Sequence, residues 1–359
     1  MPSKSSISGA NDLNPPRKIL IYHIAGIGDT LVALPAFRMI RRNYPDAELH
    51  LLNIAVVRSR EQAELYEHDT LFAGKTFLYP GGRLRFYFNY LTSVLKRPYD
   101  ALYCFSPSLP KSLVALFRLF HGNRIFHCTP DLIRDNIMLE EGYLRQLESF
   151  GMSRGEGLFD FPSVPEEIGQ AKALADGFRQ KKDVPLLAFG IGGKESVCRW
   201  PLERYDELIG RLLERFEFIP IYIGGADERG SAEALRKKHG GVFLYDTPCR
   251  SLRNTIAFLR HCVCYIGNDT GSLHLAATAG IPCAAVFSSH DMPPMKWHPF
   301  SRDSFILRHE TDCSGCQLRT CRFGYPAKCL ASVTVDELHS ALLKWVVFER
   351  TFGNGKLRV

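Results

Sequence analysis

A chain of 359 residues, 45% hydrophobic and 23% charged, is long enough for two domains, and its composition is that of a globular protein rather than a disordered or fibrous one. Its net charge of +7 is modest for this length, which argues against dedicated nucleic-acid binding and suits an anionic ligand or an acidic membrane surface. No apolar run approaches the length that crosses a bilayer, and the polar first residues lack the apolar segment of a signal peptide. These features predict a cytoplasmic protein that could touch a membrane from that side.

Strand-like and helix-like segments alternate after a loose tail at 1–16. The first strand is predicted at 18–24, and Pro35 predicts a bend or a separate first turn in the helix that follows. Further strands are predicted at 48–53, 76–79, 100–105 and 124–128, and helices at 60–67, 84–96, 110–120 and 135–150. This alternation predicts a parallel, doubly wound sheet over residues 17–165.

The same rhythm returns after a linker at 166–184. Strands are predicted at 185–190, 218–223, 242–245, 263–266 and 281–287, and helices at 203–215, 226–238, 251–260 and 270–280. They predict a second domain over 185–334, and an apolar face predicts a docked C-terminal helix at 335–350. The predicted fold is therefore α/β, with two Rossmann-like, doubly wound domains facing a central cleft.

One strand-to-helix junction suits a ligand. The apolar run at 263–266 ends at Gly267-Asn268-Asp269, and a helix of small residues begins at once. The first N–H groups of that helix, near Thr270 and Gly271, lack partners within it and suit a phosphate. Alternatively, Asn268 or Asp269 only caps the helix. The residues alone leave both interpretations open.

A second junction follows the first strand. Gly26-Ile27-Gly28 suggests a dinucleotide site, but Leu31 occupies the position of the third glycine, so a dehydrogenase is disfavoured. Asp29 could take a proton from an incoming hydroxyl group, although the spacing alone favours a helix cap.

Charged residues follow two other predicted strands. Gly193 and Lys194 close the loop 190–194, and with Arg199 they could clamp a diphosphate, or they form a solvated turn. Asp227, beside Glu228, could accept hydrogen bonds from ribose hydroxyl groups or stabilise a helix N-terminus. His274 could point at a ligand or pack its helix, and the loop around Trp297 could lie near a nucleotide or be structural.

The cysteines fall into two groups. Seven are scattered in core-like contexts and predict buried thiols in a reducing compartment. The other four, Cys313, Cys316, Cys321 and Cys329, have the spacing of metal ligands and could hold a structural zinc or iron ion, or remain free or pairable thiols. The basic, aromatic segment 83–97 could meet an anionic membrane, but Leu84, Phe88, Leu91 and Leu95 favour a core stripe.

Several of these stretches together resemble one family, the heptosyltransferases of glycosyltransferase family 9. Residues 26–31 with Leu34-Pro35-Ala36 are similar to its N-terminal signature, and 267–277 are similar to its C-terminal signature. The motifs Arg199-Trp200-Pro201 and 224–228 fall between them in the family's order. The resemblance covers roughly residues 17–345, and the Asp269-Thr270-Gly271 block is its most specific part.

The resemblance implies a GT-B fold with an N-terminal acceptor domain and a C-terminal nucleotide-sugar domain. It implies inverting transfer of heptose from ADP-heptose to a lipopolysaccharide inner-core saccharide, with no metal or other cofactor required for catalysis. Asp29 matches the family's base on the acceptor side, where Gly26 and Gly28 form the loop. Thr270 and Gly271 match the diphosphate donors, Asp269 the donor-sugar contact and Asp227 approximately the ribose contact.

The sequence departs from the family at Cys198, where a phosphate-binding lysine is frequent. Lys194 or Arg199 could supply the charge instead. Two alternatives follow, namely the same fold using another nucleotide sugar or a protein acceptor, and a non-catalytic metal- or nucleotide-binding protein. Some protein-modifying relatives in this family hold an iron ion through cysteines.

Overall fold

The computed structural model describes residues 14–55, 61–79, 83–95, 97–107, 110–179 and 184–353, with the backbone alone at 83–87 and 133. The chain divides into two compact units. Unit 1 comprises the residues up to Leu132 together with Leu139–Phe159, and unit 2 comprises Ile133–Met138 and the residues from Asp160 onward.

Strands and helices alternate in the first part of the chain. In order, the elements before residue 160 are β1 (Lys18–Ala25), α1 (Ile27–Asn43), β2 (Glu48–Ala55), α2 (Glu61–Glu64), β3 (Gly74–Leu78), α3 (Arg83–Leu95), β4 (Ala101–Phe105), α4 (Lys111–His121), β5 (Ile125–His127), α5 (Leu132–Asp135) and α6 (Leu139–Ser149). Their sheet has the order β3-β2-β1-β4-β5, and every pairing in it is parallel. The doubly wound prediction is confirmed for this unit.

Two details of unit 1 differ from the predictions. α1 runs through Pro35 without interruption, so no separate first turn forms; the proline ring is buried against the core. The predicted core stripe on α3 is wrong, because Phe88, Leu91 and Leu95 are exposed. Tyr90 and Val94, one helical turn apart, face the core instead, and the Leu84 side chain lies outside the described residues.

The second part of the chain repeats the alternation. Its elements are α7 (Pro165–Arg179), β6 (Leu186–Gly190), α8 (Leu202–Arg215), β7 (Ile219–Ile223), α9 (Arg229–His239), β8 (Val242–Phe243), α10 (Leu252–Leu259), β9 (Cys264–Asn268), α11 (Gly271–Ala279), β10 (Cys283–Phe287), β11 (Phe305–Arg308), α12 (Lys328–Ser332), α13 (Val335–Leu343) and α14 (Val346–Phe352). Short 3₁₀ turns join some of them, including Ser196–Cys198 and Ala226–Glu228.

The sheet of unit 2 is also wholly parallel, in the order β11-β10-β9-β6-β7-β8. β9 extends through Asn268, two residues beyond the apolar run that predicted it. The edge strand β11 was not predicted, because its apolar run, Phe305–Leu307, is only three residues long and each of its residues is only partly buried. None of the helices in the described part of the chain is long and apolar enough to cross a membrane.

The C-terminal helix forms as two helices, α13 and α14, with Trp345 at the junction as the N-cap of α14. The Trp345 indole donates to the Asp303 carbonyl at 2.6 Å, which fixes the bend. Phe348 and Phe352 then pack on Phe216 at the end of α8. Helix α14 is thereby part of the core of unit 2.

Candidate functional site

The candidate site of unit 2 lies at the carboxyl ends of β6 and β9. β6 comes first in the chain, and the later strands are placed on both of its sides, β7 on one and β9 on the other. In open α/β sheets the loops that leave two such strands diverge and open a crevice in which ligands bind. The loops that border it here are 191–194 and 269–270.

Tyr265 explains why both strands carry glycine at this edge. Its buried hydroxyl group forms a hydrogen bond of 2.8 Å with the Ser272 hydroxyl. A Cβ atom on Gly190 would lie 1.8 Å from the Tyr265 hydroxyl oxygen, and one on Gly267 would lie 2.4 Å from it. Both positions therefore accept only glycine, because any side chain would collide with the tyrosine.

Asn268 connects three segments around the crevice. Its buried Oδ1 accepts from the Trp200 backbone N–H (3.0 Å) and from the Tyr205 hydroxyl (2.9 Å), and its Nδ2 donates to the Gly192 carbonyl at 2.9 Å. The capping interpretation of this residue is wrong, since its side chain holds the glycine loop and the start of α8. The sequence signal for this role was only the Trp-Pro pair before a helix.

Helix α11 begins in the crevice with an end that no side chain caps. Its N-cap is Thr270, in extended conformation and without a capping side-chain hydrogen bond, so Asp269 does not cap it either. The Thr270 hydroxyl instead contacts the Ser272 hydroxyl at 2.9 Å. The first backbone N–H groups of α11, from Gly271, are therefore not covered by a capping side chain, at the positive end of the helix dipole.

Asp269 lies in a cluster of charges beside that helix end. Burial and the charge of Asp291 raise the pKa of Asp269 to about 7, although Lys296 and Arg308 oppose the rise. Asp291 Oδ2 accepts from Lys296 Nζ at 2.9 Å and from the Trp297 indole at 2.8 Å. Burial would raise the pKa of Asp291, but the Lys296 bond holds it below its usual value. Asp269 is thus the carboxyl whose charge changes near neutral pH.

His274 packs behind this cluster. Its ring lies edge-on to Trp297, with centroids 5.9 Å apart. The side chain is buried, burial lowers its pKa to about 4, and Nδ1 has no hydrogen-bond partner among the described residues. The structure therefore supplies both features left open by the sequence: a packing contact and an unused polar atom.

The glycine loop lies directly against the start of α11. A Cβ atom on Gly193 would be 3.0 Å from Thr270 Cγ2 and 3.3 Å from Arg199 Cγ, so the three residues are in contact. Arg199 Nε donates to the Gly193 carbonyl, which fixes the arginine stem beside Thr270. Lys194 is exposed at the end of the loop.

Beside this loop is an open pocket of about 380 Å³ with three cationic side chains. Its lining residues are Lys194, Glu195, Ser196, Arg199, Arg319 and Thr320. Arg319 Nε lies 3.4 Å from Glu195 Oε1, and this contact joins the cysteine segment to the glycine loop. The sequence pattern missed Arg319, because 120 residues separate it from Arg199 and it belongs to no periodic segment.

Cys198 contributes no positive charge to this region. Burial raises the pKa of its thiol, and the nearby Asp269 carboxylate raises it further. The thiol is therefore protonated and uncharged at neutral pH. The cations that line the pocket beside the glycine loop are Lys194, Arg199 and Arg319.

Of the two acidic residues after β7, Glu228 lies closer to the glycine loop. Its Oε2 accepts from the Gly225 N–H at 2.8 Å, and its Cγ would lie 2.4 Å from a Cβ atom on Gly192. Asp227 is exposed beside it. The helix-start interpretation thus applies to Glu228, whose carboxylate lies against the loop.

In unit 1, Asp29 is the third residue of helix α1, which follows the end of β1. Its Oδ2 accepts from the Gly26 N–H at 2.8 Å, and the Thr30 hydroxyl donates to the Gly26 carbonyl at the same distance. Asp29 and the Gly26–Gly28 loop are partly exposed. The capping interaction favoured by the spacing is present, and the carboxylate lies at the edge where β1 and β4 diverge.

A buried acid that the sequence did not single out lies on helix α6. Glu140 on α6 is 1% exposed, and both of its carboxyl oxygens lack hydrogen-bond partners among the described residues. Burial raises its pKa to about 8. Tyr143, one turn further along, packs on Phe105 at 5.1 Å, and burial and the charge of Asp29 raise its pKa. A buried carboxyl group with a strongly raised pKa is a candidate for a functional role.

The predicted metal centre does not form. No group of three or more His, Cys, Asp or Glu residues that could hold a metal ion exists among the described residues, which include all four clustered cysteines. Cys329 is buried in the core of unit 2, and Cys321 packs against that core. Cys313 contacts the Thr311 hydroxyl at 3.4 Å instead. The thiols have separate surroundings, and the segment is held by core packing.

Known proteins match this chain in sequence and in fold. The family model of glycosyltransferase family 9 (heptosyltransferase) matches residues 148–326. Lipopolysaccharide heptosyltransferase 2 of Salmonella typhimurium is 22% identical over 359 residues, which cover 90% of this chain and 98% of that protein. Lipopolysaccharide heptosyltransferase 2 of Escherichia coli is 21% identical over 319 residues, covering 81% and 88%.

Solved structures share the fold over nearly the whole chain. A glycosyltransferase family 9 protein of Veillonella parvula superposes with a TM-score of 0.71 at 16% identity, covering 93% of this chain and 97% of that one. ADP-heptose lipopolysaccharide heptosyltransferase II of E. coli gives 0.66 at 17%, covering 93% and 99%. An iron-containing dodecameric glycosyltransferase of enterotoxigenic E. coli gives 0.51 at 13%, covering 93% and 77%.

Proposed function

The chain belongs to glycosyltransferase family 9 and is a glycosyltransferase of the GT-B type, and from this we propose that it transfers heptose from ADP-heptose to a hydroxyl group of a lipopolysaccharide inner-core saccharide. The observation that carries the proposal is the crevice of unit 2. There, an uncapped helix end and a cationic pocket lie on either side of Gly193. The relatives' names supply the donor and the acceptor class.

The donor diphosphate would lie at the start of α11. The N–H groups of Gly271 and its successors would donate to phosphate oxygens, and Arg199, fixed through Gly193, would approach from the facing loop. Lys194 and Arg319 would supply further positive charge, in place of the lysine that Cys198 replaces. Glu228, which lies against Gly192, is placed better than the exposed Asp227 to accept from the ribose hydroxyl groups.

The donor sugar would contact Asp269 and His274. Asp269 accepts hydroxyl hydrogen bonds once ionised, and Lys296 favours that ionised form. His274 is neutral at pH 7 and has an unused Nδ1, which can accept from or donate to a sugar hydroxyl according to its tautomer.

Transfer would proceed with inversion of configuration at the anomeric carbon. Asp29 would take the proton of the acceptor hydroxyl, whose oxygen forms the new bond to the anomeric carbon from the face opposite the diphosphate. The bond to the diphosphate oxygen breaks, and ADP leaves with the electron pair. Donors that are already oriented at α11 and in the cationic pocket stabilise this developing charge, so the proposed chemistry requires no metal.

The decisive experiment is transfer by the purified protein with ADP-heptose and a core acceptor, followed by mass analysis of the product. An Asp29→Asn variant keeps the size of the side chain and should lose at least about a hundredfold in kcat. Its melting temperature and its affinity for ADP should stay near the wild-type values. Full turnover by this variant would eliminate Asp29 as the base.

A second donor is favoured by one observation, the neutral Cys198 thiol. A different arrangement of cations could suit another nucleotide sugar. A thermal-shift series with ADP, UDP and GDP at equal concentration separates the two, because a ligand that binds only the folded protein raises its melting temperature more the more tightly it binds. A larger shift with UDP or GDP than with ADP would favour the second donor.

A further inference from the structure

Helices α3 and α4 of unit 1 present apolar side chains to solvent. Five of the eleven exposed large hydrophobic side chains among the described residues lie on these two helices, namely Phe88, Leu91, Leu95, Leu119 and Phe120. Phe88 is 68% exposed and Leu119 is 75% exposed. The two helices are in contact with each other, so these exposed side chains belong to one pair of neighbouring helices. A concentrated apolar patch of this kind marks a binding surface.

The exposure is not caused by a lack of core contacts. The opposite face of α3 buries Tyr90 and Val94, and that of α4 buries Leu113 and Phe117, all in one core cluster. Each helix is therefore apolar on two sides. A helix that is apolar all round normally has a second apolar neighbour.

The charge around this patch indicates what covers it. The two helices and the segment that joins them, residues 83–121, contain six lysines and arginines and one acidic residue, Asp100. Arg97, Lys111 and Arg118 are exposed at these helices. Exposed apolar side chains that share helices with lysine and arginine are typical of surfaces that bind anionic lipid, where each cation adds to the attraction.

A second copy of the chain fits this surface less well. A symmetric dimer places the same patch of both copies face to face, which would oppose arginine and lysine with arginine and lysine. An anionic bilayer offers both the negative charge and the apolar interior.

We infer that the α3–α4 face, defined by Phe88, Leu91, Leu95, Leu119 and Phe120, docks unit 1 on an anionic membrane surface. The inference rests on the proposed function in one respect: a lipopolysaccharide acceptor carries a lipid, so its saccharide is presented at a membrane. The apolar side chains enter the headgroup boundary, and the surrounding cations contact the lipid phosphates.

The full chain should therefore float with vesicles of phosphatidylethanolamine and phosphatidylglycerol, and bind about tenfold more weakly to vesicles of phosphatidylcholine alone. A Phe88→Ser, Leu119→Ser, Phe120→Ser variant should lose about tenfold or more of the binding. A Lys111→Glu, Arg118→Glu variant should lose a similar factor, with a weaker salt dependence than the wild type. The matched control is Ile168→Ser, which alters an exposed apolar residue of α7 in unit 2 and should bind as the wild type does.

Affinity for ADP, measured on each variant, shows that unit 2 stays folded, and circular dichroism reports on unit 1. Wild-type protein that binds ADP and transfers sugar but ignores anionic vesicles would overturn the membrane inference and leave the proposed function intact. Vesicle binding without nucleotide binding would overturn the proposed function and leave the membrane inference intact. If the wild type is a dimer, the triple serine variant is a monomer and neither binds vesicles, the face serves self-association and the membrane inference is overturned.

Discussion

Glu140 offers a quantitative test of the structure of unit 1. Its carboxyl is buried without a hydrogen-bond partner among the described residues, and burial raises its pKa from 4.5 to about 8. The folded state therefore holds the proton more tightly than the unfolded state does. The stability that this adds is fully present below pH 4.5 and is lost as the pH rises to 8.

The size of the effect follows from that interval. Each pH unit between the two ionisation points is worth about 1.4 kcal/mol in the free energy of unfolding. Between pH 4.5 and 7, the ionisation of Glu140 should lower the free energy of unfolding of the wild type by about 3 kcal/mol, and by up to about 5 kcal/mol at pH 8. Glu140→Gln carries a neutral amide of the same shape, so it should match the wild type near pH 4.5 and exceed its stability at higher pH.

Urea unfolding followed by circular dichroism at several pH values measures this difference. All three tryptophans lie in unit 2, at positions 200, 297 and 345, so their fluorescence provides an internal reference that should not change. Two curves that run parallel from pH 5 to 8 would refute the reasoning, since Glu140 would then titrate as an ordinary glutamate.

The adjacent Glu141 serves as a control of opposite sign. It bonds to Arg154 and Arg145, and although burial opposes the change, these partners hold its pKa below the usual value. Glu141→Gln should destabilise the protein at pH 7 by no more than about 1 kcal/mol, because the group is partly exposed, and the effect should vanish in acid.

Two further predictions concern unit 2. Arg319→Ala should weaken ADP binding about tenfold by calorimetry, whereas Glu195→Gln, which frees Arg319, should strengthen ADP binding. If the ion pair is purely structural, both changes will weaken ADP binding. The control is Arg322→Ala, which alters an exposed cation outside the pocket and should leave ADP binding unchanged. Asn268→Ala should lower the free energy of unfolding by about 3 kcal/mol or more, because it leaves the Trp200 N–H, the Tyr205 hydroxyl and the Gly192 carbonyl unpaired. Tryptophan fluorescence measures this transition. A loss below about 1 kcal/mol would contradict the prediction and show that water replaces the amide.

The sequence predicted the parts of the molecule that depend on neighbours in the chain. Apolar runs predicted β1 and β9, and glycines with small residues predicted the junctions that follow them. Periodicity could not decide which face of α3 turns inward, because apolar residues occupy both faces and only the sheet beneath selects Tyr90 and Val94. The edge strand β11 was missed for a related reason: its pairing with β10, not its own pattern, makes it a strand.

The contacts that shape the site come from distant positions. Asn268 lies 68 residues from Trp200, and Arg319 comes from a segment whose cysteines had predicted a metal ion. Spacing along a chain gives no distances between thiols, and in the fold Cys329 points into the core instead. The burial of Glu140 was equally hidden, since its neighbour Glu141 has the same side chain and a half-exposed position.

The fit between Tyr265 and its two glycines also constrains how this sequence can change over time. At Gly190 or Gly267, an alanine is excluded while the tyrosine hydroxyl is present. Tyr265→Phe would remove the hydroxyl group and its bond to Ser272, but it would leave ring atom Cζ 2.4 Å from a Cβ atom on Gly190 and 2.6 Å from one on Gly267. Gly267 is limited further by the Gly190 carbonyl oxygen, which would lie 2.8 Å from its Cβ atom. The order of substitution therefore matters at Gly190, because the aromatic ring must be replaced by a smaller side chain first. Related sequences should show a larger residue at Gly190 only where the tyrosine has already been replaced in this way.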